Sequence, residues 1–114
     1  MIQIFGTKRC KDTQKAERFF KERKIEFQFR DLTEKGVSKK ELDNFTQFYS
    51  LEELIDIEGK QYNKRNLKYI IHDVETELLE DPLLFKTPIV RFNRKVVLGY
   101  DTDSWFELAK ESLL

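Results

Sequence analysis

The sequence is poor in the residues that build metal sites and disulfides: in 114 residues it has one cysteine, one histidine and two prolines. The single cysteine, Cys10, excludes an intrachain disulfide and a cysteine-rich zinc site, and its lone use fits a reducing compartment. His72 has no neighbours at ligand spacing on one helical face, so we predict no metal site. The four glycines are scattered and form no phosphate-binding loop.

Long apolar runs are also missing. No stretch approaches the ~18 apolar residues of a membrane span, and the N-terminus lacks the basic region and apolar run of a signal peptide. A chain of 114 residues is long enough for one core. We therefore expect a single cytoplasmic domain over residues 1–114 that does not interact with membranes.

Charge of one sign is not in excess, because 21 Lys and Arg balance 21 Asp and Glu. A balanced chain has no general attraction to nucleic acid, and we predict no direct nucleic-acid binding. Positive charge is concentrated locally around Cys10, at Lys8, Arg9 and Lys11. This cluster is either a solvated helix face or part of a site.

The first 32 residues have a strand–helix–strand pattern. Residues 1–5 are apolar, residues 11–24 place apolar side chains at helical spacing, and residues 25–32 alternate between apolar and polar. A helix of this length between two strands favours parallel pairing.

A helical segment and a second pair of strands follow. Residues 38–85 contain several helical signals, among them two capping boxes that begin at Ser38 and Ser50. The apolar residues on either side of 92–94 predict an antiparallel hairpin, and the last helix should begin at Asp101 or Asp103. The sequence thus predicts an α/β fold with a thioredoxin-like core, βαβ…ββα with a four-stranded mixed sheet, into which residues 38–85 are inserted as a helical segment.

Cys10 lies at the junction between the first strand and the first helix. Unpaired N–H groups and the positive end of the helix dipole lie at such a position, and the neighbouring cations add to their effect. All of these favour the thiolate, which is the nucleophilic form of cysteine. We predict that Cys10 is a redox-active nucleophile; the alternative is a buried structural cysteine.

Thr13 stands where a Cys-x-x-Cys motif would have its second cysteine. Cys10 can form a mixed disulfide but cannot then close an internal one. Turnover would require an external thiol co-substrate, either glutathione or a glutaredoxin-like protein, and no bound cofactor. The Thr13 hydroxyl could contact the sulfur or cap an amide of the first helical turn.

The Thr87-Pro88 pair precedes the third predicted strand. In thioredoxin-like folds, the residue before a cis-proline at this place faces the active cysteine, and X-Pro bonds adopt cis at modest cost. The alternative is a trans proline that merely begins a strand. The residues we expect to bind substrate or the external thiol around the catalytic Cys10 are Lys8, Arg9, Lys11, Thr13, Thr87 and Pro88.

Three segments resemble landmarks of the arsenate reductase-like family, which includes the Spx transcriptional regulators: residues 6–16 (GTKRCKDTQKA), 85–90 (FKTPIV) and 98–101 (LGYD). The resemblance covers nearly the whole chain. It implies that the cysteine equivalent to Cys10 attacks an oxidised substrate. Arsenate reductases of this type form an arsenate–cysteine adduct that glutathione and glutaredoxin resolve.

The chain departs from that family where the arsenate reductases hold the oxyanion with arginines. Thr87 occupies one such place, Lys60 with its neighbours a second, and Tyr100 with Gly99 a third. Without bidentate arginines a tetrahedral oxyanion loses much of its stabilisation, so we expect weak or no arsenate reduction. The Spx regulators typically switch through Cys-x-x-Cys, which Thr13 removes. The alternative to an oxidoreductase is therefore a Spx-like regulatory protein that binds RNA polymerase without catalysis.

Overall fold

The centre of the fold is a four-stranded mixed sheet in the order β2-β1-β3-β4. The computed structural model describes residues 1–114. β1 pairs with β2 in parallel, whereas β1–β3 and β3–β4 are antiparallel. The strands are β1 Ile2–Gly6, β2 Phe27–Asp31, β3 Ile89–Phe92 and β4 Lys95–Leu98. This sheet and its element order confirm the predicted α/β, thioredoxin-like fold.

Helix α1, Lys11–Glu22, connects the two parallel strands. It buries Ala16, Phe19 and Phe20, the face that the helical spacing predicts. The helix ends two residues earlier than predicted, and Lys24 follows with a φ of 56°. That left-handed residue turns the chain toward β2, which begins at Phe27 rather than at residue 25.

The residues group into two compact units, Met1–Asp31 with Thr87–Leu114, and Leu32–Lys86. The second unit covers the predicted insertion. The prediction of a single domain with an inserted segment stays a prediction.

The second unit is helical. Its helices are α2 Lys39–Phe45, α3 Leu51–Leu54, α4 Lys60–Lys64 and α5 Val74–Glu80, with 3₁₀ turns at Leu67–Tyr69 and Pro82–Leu84. Both predicted capping boxes are present, Ser38 with Glu41 and Ser50 with Glu53.

The Arg65 side chain, just after α4, links α4 to α5. The Arg65 guanidinium donates to both Glu77 carboxylate oxygens at 3.1 and 2.9 Å and to Asp81 at 3.0 Å. Asn66, at φ 54°, separates α4 from the 3₁₀ turn at Leu67–Tyr69.

The first unit is closed by α6, Thr102–Ser112, whose first turn is capped by Asp101 as predicted. α6 buries Trp105, Leu108 and Ala109 against the apolar side chains of β1 and α1. The Phe19 and Trp105 rings meet edge to face, with centroids 5.6 Å apart. No helix of the structure is both long and apolar enough to cross a bilayer.

Candidate functional site around Cys10

The turn between β1 and α1 places Cys10 as the N-cap residue of α1. The Cys10 backbone N–H donates to the Thr7 carbonyl at 3.2 Å, and the Gln14 N–H donates to the Cys10 carbonyl at 3.0 Å. The Gln14 side-chain amide reaches back to the Lys8 carbonyl at 2.6 Å. The helix therefore fixes the turn that carries the cysteine, and the half-buried thiol lies at the open end of the helix.

The Cys10 sulfur is bound by Thr87. The Thr87 hydroxyl donates to Sγ at 3.1 Å, and the thiol donates to the Thr87 carbonyl at 3.7 Å. The Thr87-Pro88 peptide bond is cis, the first of the two alternatives that the sequence leaves open. Pro88 is buried, and its carbonyl accepts from the Gly99 N–H at 2.8 Å. A hydroxyl next to the sulfur can stabilise a thiolate, which only accepts hydrogen bonds.

Thr13 is fully buried beneath the turn. Its side chain lies directly against Gly6: a Cβ built on Gly6 would be 2.4 Å from Thr13 Oγ1 and 2.6 Å from its Cγ2. The hydroxyl has no hydrogen-bond partner of ordinary geometry, so it does not cap an amide of the first helical turn. It nevertheless lies close enough to Cys10 to influence the ionisation of the thiol.

Opposing effects act on the Cys10 pKa. Burial of the sulfur raises the pKa, but the hydroxyls of Thr13 and Thr87 and the backbone N–H groups of Thr13 and Asp12 outweigh it, so the net pKa is lowered. The donors favour the charged form because they are held in place before ionisation. The site can therefore supply a thiolate nucleophile.

Lys8, Arg9 and Lys11 surround the site in sequence but stay in solvent. All three side chains are exposed, and none forms an ion pair. Their charges are not among the causes of the lowered Cys10 pKa. Water screens exposed charges, so the fixed hydroxyl and amide donors have the larger effect. What these cations bind stays a prediction.

The close contact of Gly6 with Thr13 is a feature of the site that sequence reasoning missed. Gly6 ends β1, and nothing local in the sequence shows that a side chain would lie against it. No group of three His, Cys, Asp or Glu side chains is arranged to hold a metal ion. His72 Nδ1 instead lies 2.7 Å from the Ile70 carbonyl oxygen.

Known proteins resemble this chain in sequence and in fold. The regulatory protein MgsR of Bacillus subtilis (strain 168) is 25% identical over 115 residues, which cover 96% of this chain and 91% of that protein. A putative ArsC family related protein from Bacteroides fragilis superposes with a TM-score of 0.79 at 21% identity, covering 94% and 96% of the two chains. Arsenate reductase from Vibrio cholerae gives 0.77 at 18% identity, covering 94% and 96%.

The chain also matches the model of a protein family. The model described as the ArsC family matches residues 5–108, a range that includes the Cys10 turn, the helical unit and the Thr87-Pro88 bond. By this match, the chain belongs to the ArsC family.

Proposed function

We propose that this chain is a monothiol oxidoreductase in which the Cys10 thiolate exchanges with an external thiol, either glutathione or a glutaredoxin-like protein. One observation carries the proposal: Cys10 Sγ, at the start of a 12-residue helix, accepts a hydrogen bond from the Thr87 hydroxyl at 3.1 Å and has a lowered pKa. A partly exposed, low-pKa thiolate of this kind is the usual attacking group in thiol–disulfide exchange.

The exchange consists of two displacements. The Cys10 thiolate attacks one sulfur of a disulfide, forms the Cys10–S–S bond and releases the other sulfur as a thiolate. An external thiolate then attacks the sulfur that Cys10 has bound. This releases the Cys10 thiolate, and the two external sulfurs leave together as a disulfide. Thr13 offers no internal thiol, so the second step depends on the external one.

Mass spectrometry of the intact protein after incubation with oxidised glutathione tests the first step. We expect one glutathione per chain, attached at Cys10, and removal of the adduct by reduced glutathione. Cys10→Ser is the matched control and should gain no mass. A wild-type protein that alkylates readily at Cys10 yet forms no adduct would contradict the proposal.

Whether the Cys10 thiolate also reduces arsenate requires an assay of its own. Thr87, at the place where an oxyanion-binding arginine would precede the proline, supplies one neutral hydroxyl. We therefore expect arsenate-dependent consumption of glutathione, with glutaredoxin present, to stay close to the Cys10→Ser background. Robust turnover would show that the exposed lysines replace the arginines after all.

A regulatory role is the second candidate, favoured by the 25% identity to a regulatory protein over 96% of this chain. In this version the protein binds RNA polymerase without catalysis, as a Spx-like regulator does. Affinity capture from cell extract with wild-type and Cys10→Ser bait would distinguish the two. Equal recovery of polymerase subunits by both baits favours regulation, whereas their absence from both counts against it.

A further inference from the structure

A cavity of about 350 Å³ lies between α1 and α6 in the first unit. Neither Cys10, Thr13, Thr87 nor Pro88 lines it, so it is not part of the thiol site. Its volume is at the lower end of the roughly 300–1,000 Å³ range of small-molecule sites. The residues around it consist of an aromatic group and a cationic group.

The aromatic group is Phe19, Tyr100 and Trp105. Trp105 is fully buried, and the Phe19 and Tyr100 rings meet it edge to face at centroid distances of 5.6 and 5.2 Å. The Trp105 Nε1–H is buried and has no hydrogen-bond partner. Tyr100 keeps 54% of its surface exposed, whereas Phe19 and Trp105 are buried, so Tyr100 is the ring of this group that is open to solvent. Such walls favour a planar, apolar ligand body.

The cationic group is Lys15, Arg18 and Arg23, against one lining carboxylate, Glu22. Lys15 Nζ lies 5.1 Å from the Tyr100 ring centroid, and the Arg23 guanidinium lies 3.7 Å from the Phe19 centroid. Cations of the protein itself therefore lie against both rings, so a cationic ligand would meet like charge there. Arg18 is exposed and forms no ion pair, and Lys15 has only a 3.7 Å contact with Asp12. Glu22 is likewise exposed and unpaired, so the rim carries free charge of both signs with a positive net charge.

We propose that this cavity binds a small organic anion that carries a planar ring, such as an aromatic carboxylate. The ring packs against the exposed Tyr100 side chain, and the anionic end meets Lys15 and Arg18 at the rim. Charge complementarity with these two side chains selects an anion over a neutral or cationic molecule of the same shape.

Trp105 provides the measurement, because it is the only tryptophan and gives a single indole N–H signal in a ¹⁵N–¹H correlation spectrum. The full chain is titrated with 2-naphthoate, and separately with 2-naphthylmethanol and 2-naphthylmethylammonium. An anion of about 13 non-hydrogen atoms should bind with a Kd of about 1 mM and shift the indole signal. The neutral probe should bind several-fold more weakly and the cation not measurably.

Matched charge variants test the rim. Lys15→Gln with Arg18→Gln should weaken 2-naphthoate binding about tenfold. Lys21→Gln, which removes one positive charge from the same helix outside the cavity, should not change it. Unchanged amide spectra elsewhere would show that the variants fold.

Three results would overturn the proposal: no shift of the indole signal at 10 mM probe, equal binding of the neutral probe, or equal losses in the rim and Lys21 variants. A capped Phe-Asp dipeptide that binds more tightly than 2-naphthoate would also overturn it, because the occupant would then be a segment of a protein partner rather than a free small molecule.

Discussion

At the scale of single residues, the lowered pKa of Cys10 depends on fixed neutral donors. The Thr13 and Thr87 hydroxyls and two backbone N–H groups lower its pKa, while burial acts against them. Lys8, Arg9 and Lys11 are exposed. A hydroxyl held beside the sulfur keeps its effect in salt, whereas exposed charges are screened. The thiolate should therefore be insensitive to ionic strength.

Removing the Thr87 hydroxyl tests this account. Thr87→Val keeps the shape of the side chain but loses the 3.1 Å hydrogen bond to Sγ, so the pKa of Cys10 should rise. Less thiolate is then present at neutral pH, and alkylation by iodoacetamide near pH 7 should be several-fold slower. The midpoint of the rate against pH should move upward toward the ordinary ~8.5.

Thr46→Val is the control for that experiment, because it also deletes one hydroxyl hydrogen bond, from Thr46 to the Asp43 carbonyl at 3.1 Å. Its pH profile should equal that of the wild type. A Thr87→Val profile that also equals the wild type would show that the hydroxyl does not set the pKa.

Gly6 is the second residue on which the site depends. A methyl group there would lie 2.4 Å from Thr13 Oγ1, and Thr13 is buried and cannot swing away. We expect Gly6→Ala to lower the free energy of unfolding by roughly 1–3 kcal/mol, the usual cost of overpacking. Chemical denaturation measures this loss.

The double variant Gly6→Ala with Thr13→Ala separates the clash from other effects. Thr13→Ala deletes the two atoms closest to the new methyl group, so the double variant should recover part of the lost stability relative to the sum of the single variants. Strict additivity of the two losses would contradict the contact.

Part of the site around Cys10 could be predicted from the sequence, and part of it could not. The location of Cys10 at a helix start follows from local pattern, because residue types at helix starts have strong local preferences. The Thr87-Pro88 bond does not follow in this way, because X-Pro bonds favour trans locally, and only the likeness to thioredoxin-like folds pointed to the cis form. The contact between Gly6 and Thr13 joins the end of β1 to the first turn of α1. No spacing in a single sequence reports such a close approach.

At the scale of elements, the capped starts of α2 and α3 were predictable, whereas the end of α1 and the break at Asn66 were not. The boxes at Ser38 and Ser50 and the cap at Asp101 are read directly from residue types. Lys24 and Asn66 end helical segments with positive φ values of 56° and 54°. Lysine seldom adopts this conformation, so the packing of the chain on each side decides those ends.

The Asp101 cap of α6 gives the prediction at this scale. Its carboxylate accepts from the Ser104 N–H at 3.0 Å and the Ser104 hydroxyl at 2.7 Å. Asp101→Ala should destabilise the protein by about 1 kcal/mol, the usual loss for a cap. Asp103→Ala, in the same first turn but without these bonds, should cost less.

The same cap has a pH dependence of known sign. Bonds from the Ser104 hydroxyl and N–H lower the pKa of Asp101. Its stabilisation is therefore fully present above the ordinary Asp pKa of about 3.9 and is lost as pH falls through the lower folded value. The stability difference between wild type and Asp101→Ala should be constant from about pH 5 to 7 and shrink in stronger acid.

At the scale of the whole molecule, the four-stranded mixed sheet and the family could be inferred, whereas the cavity between α1 and α6 could not. The parallel crossover and the hairpin restrict the topology to a few possibilities, and the mixed sheet is among them. The cavity depends on how Phe19, Tyr100 and Trp105 meet across two helices far apart in sequence. Contacts between side chains so far apart in sequence leave no periodic pattern from which they could be predicted.

Cys10 is the only thiol in the whole chain, and a single substitution that adds a second thiol should change how Cys10 reacts. Thr13→Cys places a second thiol on the first turn of α1, where the Thr13 hydroxyl already acts on the Cys10 sulfur. After oxidised glutathione has added to Cys10, the introduced thiolate should attack Cys10 Sγ, form the internal disulfide and release reduced glutathione. Acid-quenched intact-mass spectra should show one retained glutathione on the wild type and on Thr13→Ser. Thr13→Cys should instead show a loss of two hydrogens, and a stable glutathione adduct on this variant would mean that the two sulfurs cannot meet.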